Sequence, residues 1–205
     1  MKEEECSLNV VFDLGGVVFT WQPEAIVASV FNDSNARLKA MDEIFGHHEW
    51  AELDRGTLSR DEAIKRAAVR TGLPESGIYT LMQQVLLSLV PIPETMELIR
   101  SLKRKGNRIF ALSNMHVASI DYLEQKYSFW GVFDGKVISC RIHMVKPEPE
   151  IYRYLLDYYD LIAEETIFID DTPANLEPAS RLGIRTVKFE YPGQCESELK
   201  RIGCI

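Results

Sequence analysis

The chain has 205 residues, 46% of them hydrophobic, with 23 Lys plus Arg against 31 Asp plus Glu and a formal net charge of −8. That length can bury one core and still leave sequence for a subsidiary domain, and the composition is that of an ordinary globular protein. The acidic balance argues against a nucleic-acid partner, which needs a basic patch to release counterions, but not against a small anionic substrate in a local pocket.

The N-terminal run Met1-Lys2-Glu3-Glu4-Glu5 is acidic where a signal peptide would be basic. The apolar run that follows contains Asp13 and is far too short to span a bilayer, so no membrane segment is expected. The cysteines Cys6, Cys140, Cys195 and Cys204 show no C-x-x-C spacing, which points to reduced thiols and a cytoplasmic location.

Leu8 to Phe12 reads as a buried strand that stops on Asp13 and turns through Leu14-Gly15-Gly16. Two residues beyond Asp13, where a partner carboxylate could share the chemistry, stands Gly15. From about Pro23 to Leu89 there is no convincing strand and several helical segments. Ser59-Arg60-Asp61-Glu62 is a capping box that opens one of them, and Thr71-Gly72-Leu73-Pro74 closes it. Pro91 and Pro93 mark the return of strands. Pro93 to Lys105 carries apolar residues at helical spacing and ends at Gly106. Strands are expected at Arg108 to Leu112, more weakly at Lys136 to Ile138, then at Thr166 to Ile169 and Arg185 to Phe189. The helices between them, Pro149 to Tyr159 and Pro173 to Leu182, both start with proline in the first turn.

Strands alternating with helices imply an α/β fold, a Rossmann-like parallel sheet covered by helices on both faces. A small helical cap inserted after the first strand would lie over the carboxyl edge of that sheet. The expected division is a core of residues 1–20 and 90–205 with a cap of residues 21–89. Ligands of such sheets sit beyond the carboxyl ends of the strands.

Those ends carry Asp13, then Ser113-Asn114, then Lys146-Pro147, then Asp170-Asp171. Taken singly, Asp13 could cap a turn, Ser113-Asn114 and Asp170-Asp171 could cap helices, and Lys146 could be a solvated charge. Brought to one rim they offer carboxylates suited to Mg²⁺, and a hydroxyl, an amine and backbone N–H groups suited to phosphate. A carboxylate can attack phosphorus to give an aspartyl phosphate, a reaction that is mostly positioning and charge neutralisation.

The chain resembles the haloacid dehalogenase-like hydrolase superfamily over nearly its whole length, in the branch of the N-terminal phosphatase domain of soluble epoxide hydrolases and bacterial α-D-glucose-1-phosphate phosphatase. Phe12-Asp13-Leu14-Gly15-Gly16-Val17, Leu112-Ser113-Asn114, Lys146-Pro147-Glu148-Pro149 and Phe168-Ile169-Asp170-Asp171-Thr172-Pro173-Ala174-Asn175-Leu176 carry the resemblance. It implies a Mg²⁺-dependent phosphatase acting on a small phosphorylated metabolite. Asp13 would be the nucleophile, Lys146 catalytic, and Ser113, Asn114 and Lys146 the phosphate-binding groups. Asp13, the Gly15 carbonyl, Asp170 and Asp171 would hold the metal. Pro147 biases Lys146 towards an extended backbone, which holds its amine near Asp13.

Two positions depart from that pattern. Most phosphatases of the superfamily carry an Asp, the acid and base of the reaction, where Gly15 stands. His143 stands where relatives often have glycine, and reads as a loop residue tolerant of positive φ. The cap offers His47, His48, Trp50, Asp54 and Arg55 next to Gly56 as candidate contacts, and His47 or His48 could supply the missing acid. Two other readings remain open. One is a 2-haloacid dehalogenase, against which Asp170-Asp171 speak; the other is a catalytically weak phosphate-sensing or partner-binding protein.

Overall fold

The computed structural model describes residues 7–204. The acidic N-terminal run and Cys6 lie outside the described residues.

Five strands form one parallel sheet in the order β3-β2-β1-β4-β5. They are β1 (Asn9–Phe12), β2 (Arg108–Ser113), β3 (Gly135–Ile138), β4 (Thr166–Asp170) and β5 (Arg185–Lys188). β1 is central, with Val10 paired to Ile109 on one side and to Ile167 on the other. Beyond Asn9, whose side chain reaches the Thr166 hydroxyl, its residues Val10, Val11 and Phe12 are apolar on both faces, as expected of a strand covered twice. Val10 and Phe12 belong to one buried cluster with Ile109, Ala111, Ile167 and Ile169; Val11 belongs to another with Phe110, Leu112 and Phe168.

The first face is covered by α6 (Pro93–Arg104), α7 (Val117–Lys126) and α11 (Pro192–Ile202), through Ile99, Leu102, Ile120, Leu123, Cys195 and Leu199. The second is covered by α9 (Pro149–Tyr159) and α10 (Pro173–Arg181), through Ile151, Tyr152, Leu155 and Ala179. A short α8 (Ser139–Ile142) follows β3. The chain builds outward from β1 to β2 and β3, then restarts on the other side with β4 and β5. The strand order therefore reverses beside β1, and a crevice opens there at the carboxyl ends of β1 and β4.

Between β1 and α6 lie five helices: α1 (Pro23–Val30), α2 (Ser34–Ala40), α3 (His48–Arg55), α4 (Arg60–Thr71) and α5 (Glu75–Ser88). A π-helical turn, Met41–Phe45, joins α2 to α3. These helices bury their own cluster, built on Ile26, Ile44, Leu53, Ile64, Ile78 and Leu81. Ser59 caps α4 by accepting from the Glu62 N–H at 3.3 Å, and Gly72 ends it in the left-handed conformation. The entry and exit of the block are tied together, with Thr20 N–H donating to the Val90 carbonyl at 2.9 Å and Ile92 N–H to the Val18 carbonyl at 2.8 Å. No helix of the described residues is long and apolar enough to cross a membrane.

Element ends differ from the sequence reading by one residue at several places. Leu8 N–H is diverted to the Asn107 side chain, so β1 starts at Asn9, and Phe189 N–H makes the last bond of the β4–β5 ladder, to the Asp170 carbonyl, just past the end of β5.

Candidate active site

The crevice beside β1 holds a cavity of about 220 Å³. Its floor comes from the loops after the strands. Asp13, just past β1, is buried; its Oδ1 accepts from the Leu14 N–H at 2.7 Å and pairs with Lys146 Nζ at 2.9 Å. Lys146 also donates to Asp170 Oδ2 at 2.6 Å, and both of those side chains are almost wholly removed from solvent. Burial works against the charge on Lys146, but Asp13 and Asp170 outweigh it and hold the amine above its usual range. Burial pushes the Asp13 carboxyl up to about 7, against the pull of Lys146.

The lysine is held from behind. The Asn114 side chain clamps its backbone, with Nδ2 donating to the Lys146 carbonyl and Oδ1 accepting from the Lys146 N–H, each at 2.8 Å. Lys146–Pro147 is a cis peptide. Ser113 ends β2, is buried, and does not line the cavity; its Oγ makes only a long 3.4 Å contact to the Asn114 carbonyl.

Asp170 and Asp171 are neighbours with different surroundings. Asp170 accepts from Lys146, from the Thr172 N–H at 2.8 Å, and from Asn175 Nδ2 at 3.1 Å to each oxygen, so both of its oxygens are engaged. Asp171 lines the cavity, and its hydrogen-bond partner is the Thr172 hydroxyl at 3.3 Å. Burial and the adjacent Asp170 raise its carboxyl above the ordinary range. Its place depends on Gly16, at φ +79°: a Cβ there would stand 2.4 Å from Asp171 Oδ2.

Asp13, Asp170 and Asp171 each bring a carboxylate oxygen within 4.8 Å of the others. Three hard oxygen donors, Asp13 and Asp170 buried and Asp171 at the open edge, are opposed by one ammonium and leave excess negative charge, the environment that suits a small divalent cation.

The opposite wall comes from the helical block and α7. Trp21, Val85 and Leu89 line it, with Trp50 and Asp54 from α3. Trp50 sits edge-on to Phe45 at 4.6 Å and to His116 at 5.7 Å. His116 and Ser119 line the cavity from α7, and the His116 Nε2 lies 3.1 Å from the Ser119 hydroxyl. Burial lowers His116 to about 4, so the ring is neutral near pH 7. Burial raises the half-buried Asp54 carboxyl to about 7, with the Asp13 charge adding to the rise, while Lys146 and a hydrogen bond from the His116 backbone N–H oppose it.

Of the candidate cap contacts, only Trp50 and Asp54 line the cavity. His47 caps its own helix, accepting from the Glu49 N–H at 3.3 Å, and lies 3.5 Å from the Glu49 carboxylate. His48 is exposed beside Glu52. Both therefore belong to the outer surface of α3 and not to the cavity, because the α3 face that meets the core is the one carrying Trp50 and Asp54. Arg55 forks onto Glu148, just past Lys146, and so joins α3 to the core. His143 adopts φ 57° in the left-handed region and binds the Arg55 carbonyl through Nδ1 at 2.9 Å. His116, Ser119, Trp21 and Asn175 carry no site signal of their own; only for Asn175, inside the Asp170-Asp171 motif, did the sequence pattern hold a clue.

A family model for haloacid dehalogenase-like hydrolases matches residues 9–183. A sesquiterpene phosphatase of Aspergillus oryzae is 32% identical over 174 residues, covering 85% of each chain. A D-ribitol-5-phosphate phosphatase of Bacteroides thetaiotaomicron is 26% identical over 202 residues, covering 93% of this chain and 96% of that one. Among solved structures, a Bacteroides thetaiotaomicron enzyme in complex with magnesium and inorganic phosphate superposes with a TM-score of 0.73 at 22% identity, over 90% of this chain and 94% of that one.

Proposed function

The chain belongs to the haloacid dehalogenase-like hydrolase family and is a hydrolase, and we propose that it is a Mg²⁺-dependent phosphomonoesterase in which Asp13 is the nucleophile. The observation that carries this reading is the buried Asp13–Lys146–Asp170 chain, at 2.9 and 2.6 Å, opening on a cavity with Asp171 at its edge. Asp13, Asp171 and the Gly15 carbonyl would hold the metal, with Asp170 behind them fixing Lys146, since the oxygens of Asp170 are already engaged. When bound, the ion supplies charge neutralisation at the phosphoryl oxygens.

The residues of the chain do the rest. Lys146 neutralises a phosphate oxygen while Asn114 fixes its backbone. An Asp13 oxygen attacks phosphorus, the bond to the ester oxygen breaks, and that oxygen takes up a proton to leave as an alcohol. Water then attacks the aspartyl phosphate, freeing phosphate and restoring Asp13. The helical block, residues 21–89, acts as a cap that covers this chemistry. Buried, unbridged thiols at Cys140, Cys195 and Cys204 fit a reducing, cytoplasmic setting.

The substrate is a small phosphate monoester with an apolar organic part. Trp21, Trp50, Val85, Leu89 and Met115 supply an apolar surface away from the acidic floor, beside the polar Asp54, His116 and Ser119, and that surface gains from burying apolar groups. That the Aspergillus oryzae relative is a sesquiterpene phosphatase agrees with this. The 2-haloacid dehalogenase reading is weaker, because a halide displacement at carbon has no use for the acidic triad. Phosphate release from short prenyl and alkyl phosphates and from sugar phosphates, with Mg²⁺ present, tests the reading. Prenyl and alkyl esters should be preferred by about 10²-fold in kcat/KM, taking roughly 1–3 kcal/mol per well-buried apolar group. Equal rates on sugar phosphates would overturn the apolar assignment, and halide release from chloroacetate without any phosphatase activity would overturn the reaction class.

A further inference from the structure

Gly15 leaves the floor without a second acid, and a Cβ built there meets nothing within 4 Å, so the space beside Asp13 is open. A phosphomonoesterase must still protonate the departing alcohol and deprotonate the attacking water. Among the described residues, three carboxylates line the cavity: Asp13, Asp171 and Asp54. The first two belong with Asp170 to the cluster of oxygens within 4.8 Å, and Asp54 stands outside it on the opposite wall. The two other titratable groups in the wall do not fit the task. Lys146 is committed to Asp13 and Asp170, and His116 is buried beside Ser119 and edge-on to Trp50.

We propose that Asp54, reaching down from the last turn of α3, is the general acid and base that replaces the acid missing at Gly15. The inference rests on the phosphatase reading above. In the first half-reaction an Asp13 oxygen bonds to phosphorus, the bond from phosphorus to the ester oxygen breaks, and that oxygen takes the Asp54 proton to leave as an alcohol. In the second half-reaction Asp54, now a carboxylate, accepts a proton from water as the water oxygen bonds to phosphorus. The bond to Asp13 breaks, phosphate departs, and both carboxyls return to their starting states. No outside co-reactant is needed beyond water.

A residue on an inserted block can act as proton donor only if its backbone is fixed to the core, and three sets of contacts around Asp54 do this. Ser139 donates its hydroxyl to the Asp54 carbonyl. Arg55 forks onto Glu148 and donates to the His143 carbonyl at 3.2 Å, while His143 Nδ1 returns to the Arg55 carbonyl. Gly56, at φ +76°, lets the helix end close on α8: a Cβ there would sit 2.6 Å from the Cys140 carbonyl. Arg55, Gly56 and His143 are therefore positioning residues for Asp54. Charged or titratable groups facing Asp54 are Asp13 and Lys146 from the core, the Cys140 thiol from α8 and the neutral His116 from α7, whose ring also feels Arg60 from α4. Burial outweighs Lys146 and keeps the Asp54 carboxyl near 7, where it can both give and take a proton.

The experiment compares an n-alkyl phosphate, whose alkoxide needs a proton to leave, with p-nitrophenyl phosphate, whose phenolate does not. The wild-type protein, Asp54→Asn and Asp54→Ser are assayed in Mg²⁺, with folding followed by thermal melting, and the two variants together guard against one failing to fold. Expected is a loss of at least about 10²-fold in kcat/KM on the alkyl ester, with a loss on the nitrophenyl ester at least tenfold smaller. With nitrophenyl phosphate the variants should also release a burst of nitrophenolate, because the phosphorylated Asp13 now hydrolyses slowly. Adding Gly15→Asp to Asp54→Asn should regain at least tenfold on the alkyl ester. Equal losses on both esters, no loss, or no rescue would overturn the role of Asp54 while leaving the phosphatase reading intact. A wild-type protein that hydrolyses neither ester would overturn both.

Discussion

The two walls of the cavity are built on opposite plans. On the core side the buried charges are held in a network: Asp13 and Asp170 share Lys146, Asn114 clamps the lysine backbone, and Asn175 spans both oxygens of Asp170, with Asp171 left facing the cavity. On the helical side the wall is mostly apolar, with Trp21, Trp50, Val85 and Leu89 around a single acid, Asp54. In the proposed reaction the core wall would hold the phosphoryl group with its metal. The helical wall would select the rest of the substrate and, through Asp54, handle its proton. Phosphoryl transfer and selectivity should then be open to separate disturbance.

Breaking the core side should produce the largest effects. Asp13→Asn keeps the shape of the side chain but removes the nucleophile, and turnover of any phosphate ester should fall by at least about 10⁴-fold. Chelating divalent cations should give a comparable loss in a steady-state assay, and unchanged turnover would remove the metal from the account. Lys146→Met should be the most costly substitution for folding. It strands two buried carboxylates without their shared partner, and loss of one member of a buried ion pair costs about 3–5 kcal/mol. Denaturant titration reads this directly, and an unchanged midpoint would mean that water or relaxation replaces the lysine.

The core wall was legible in the sequence because its residues are local to strand ends. A parallel sheet delivers Asp13, Asn114, Lys146 and Asp170-Asp171 to one rim whatever the packing above them, and short motifs mark those ends. Ser113 is expected at the phosphate, but its buried side chain does not line the cavity, whereas the next residue, Asn114, does. The helical wall was much less legible. Which face of α3 meets the core is decided by contacts far apart in sequence, Arg55 with Glu148 and Gly56 against Cys140, and no local pattern reports them. That is why the sequence offers His47 and His48 as contacts although neither lines the cavity, and why His116, on α7, carries no signal of its own.

Sharper tests of the helical wall give smaller effects. Trp50→Ala should raise KM for a prenyl phosphate roughly tenfold through lost apolar contact, with a smaller fall in kcat, as expected for a group that binds ground state and transition state alike. An equal change with a sugar phosphate would argue that Trp50 only supports the fold.

The buried imidazole gives a stability signature on the same side. His116 is lowered from 6.5 to about 4, so the folded state takes up its proton later than the unfolded chain does as pH falls. Its contribution is therefore fully present above about 6.5 and is lost as pH falls towards 4, a difference on the order of 3 kcal/mol. Asp13 and Asp54, both raised to about 7, act in the opposite sense over the same window, so the signature is read as a difference: relative to His116→Gln, the wild-type melting temperature should fall as pH drops from about 6.5 towards 4. A difference that stays constant across the window would remove His116 from the account.

The central claim is that the core side performs phosphoryl transfer through Asp13. Its most direct test is to quench the protein in acid during turnover of p-nitrophenyl phosphate, with Mg²⁺ present, and to locate covalently bound phosphate by mass spectrometry. Phosphate carried on Asp13, increased in Asp54→Asn and absent after chelation, is the predicted result. Turnover with no phosphate on Asp13, or with phosphate on another residue, would contradict the account.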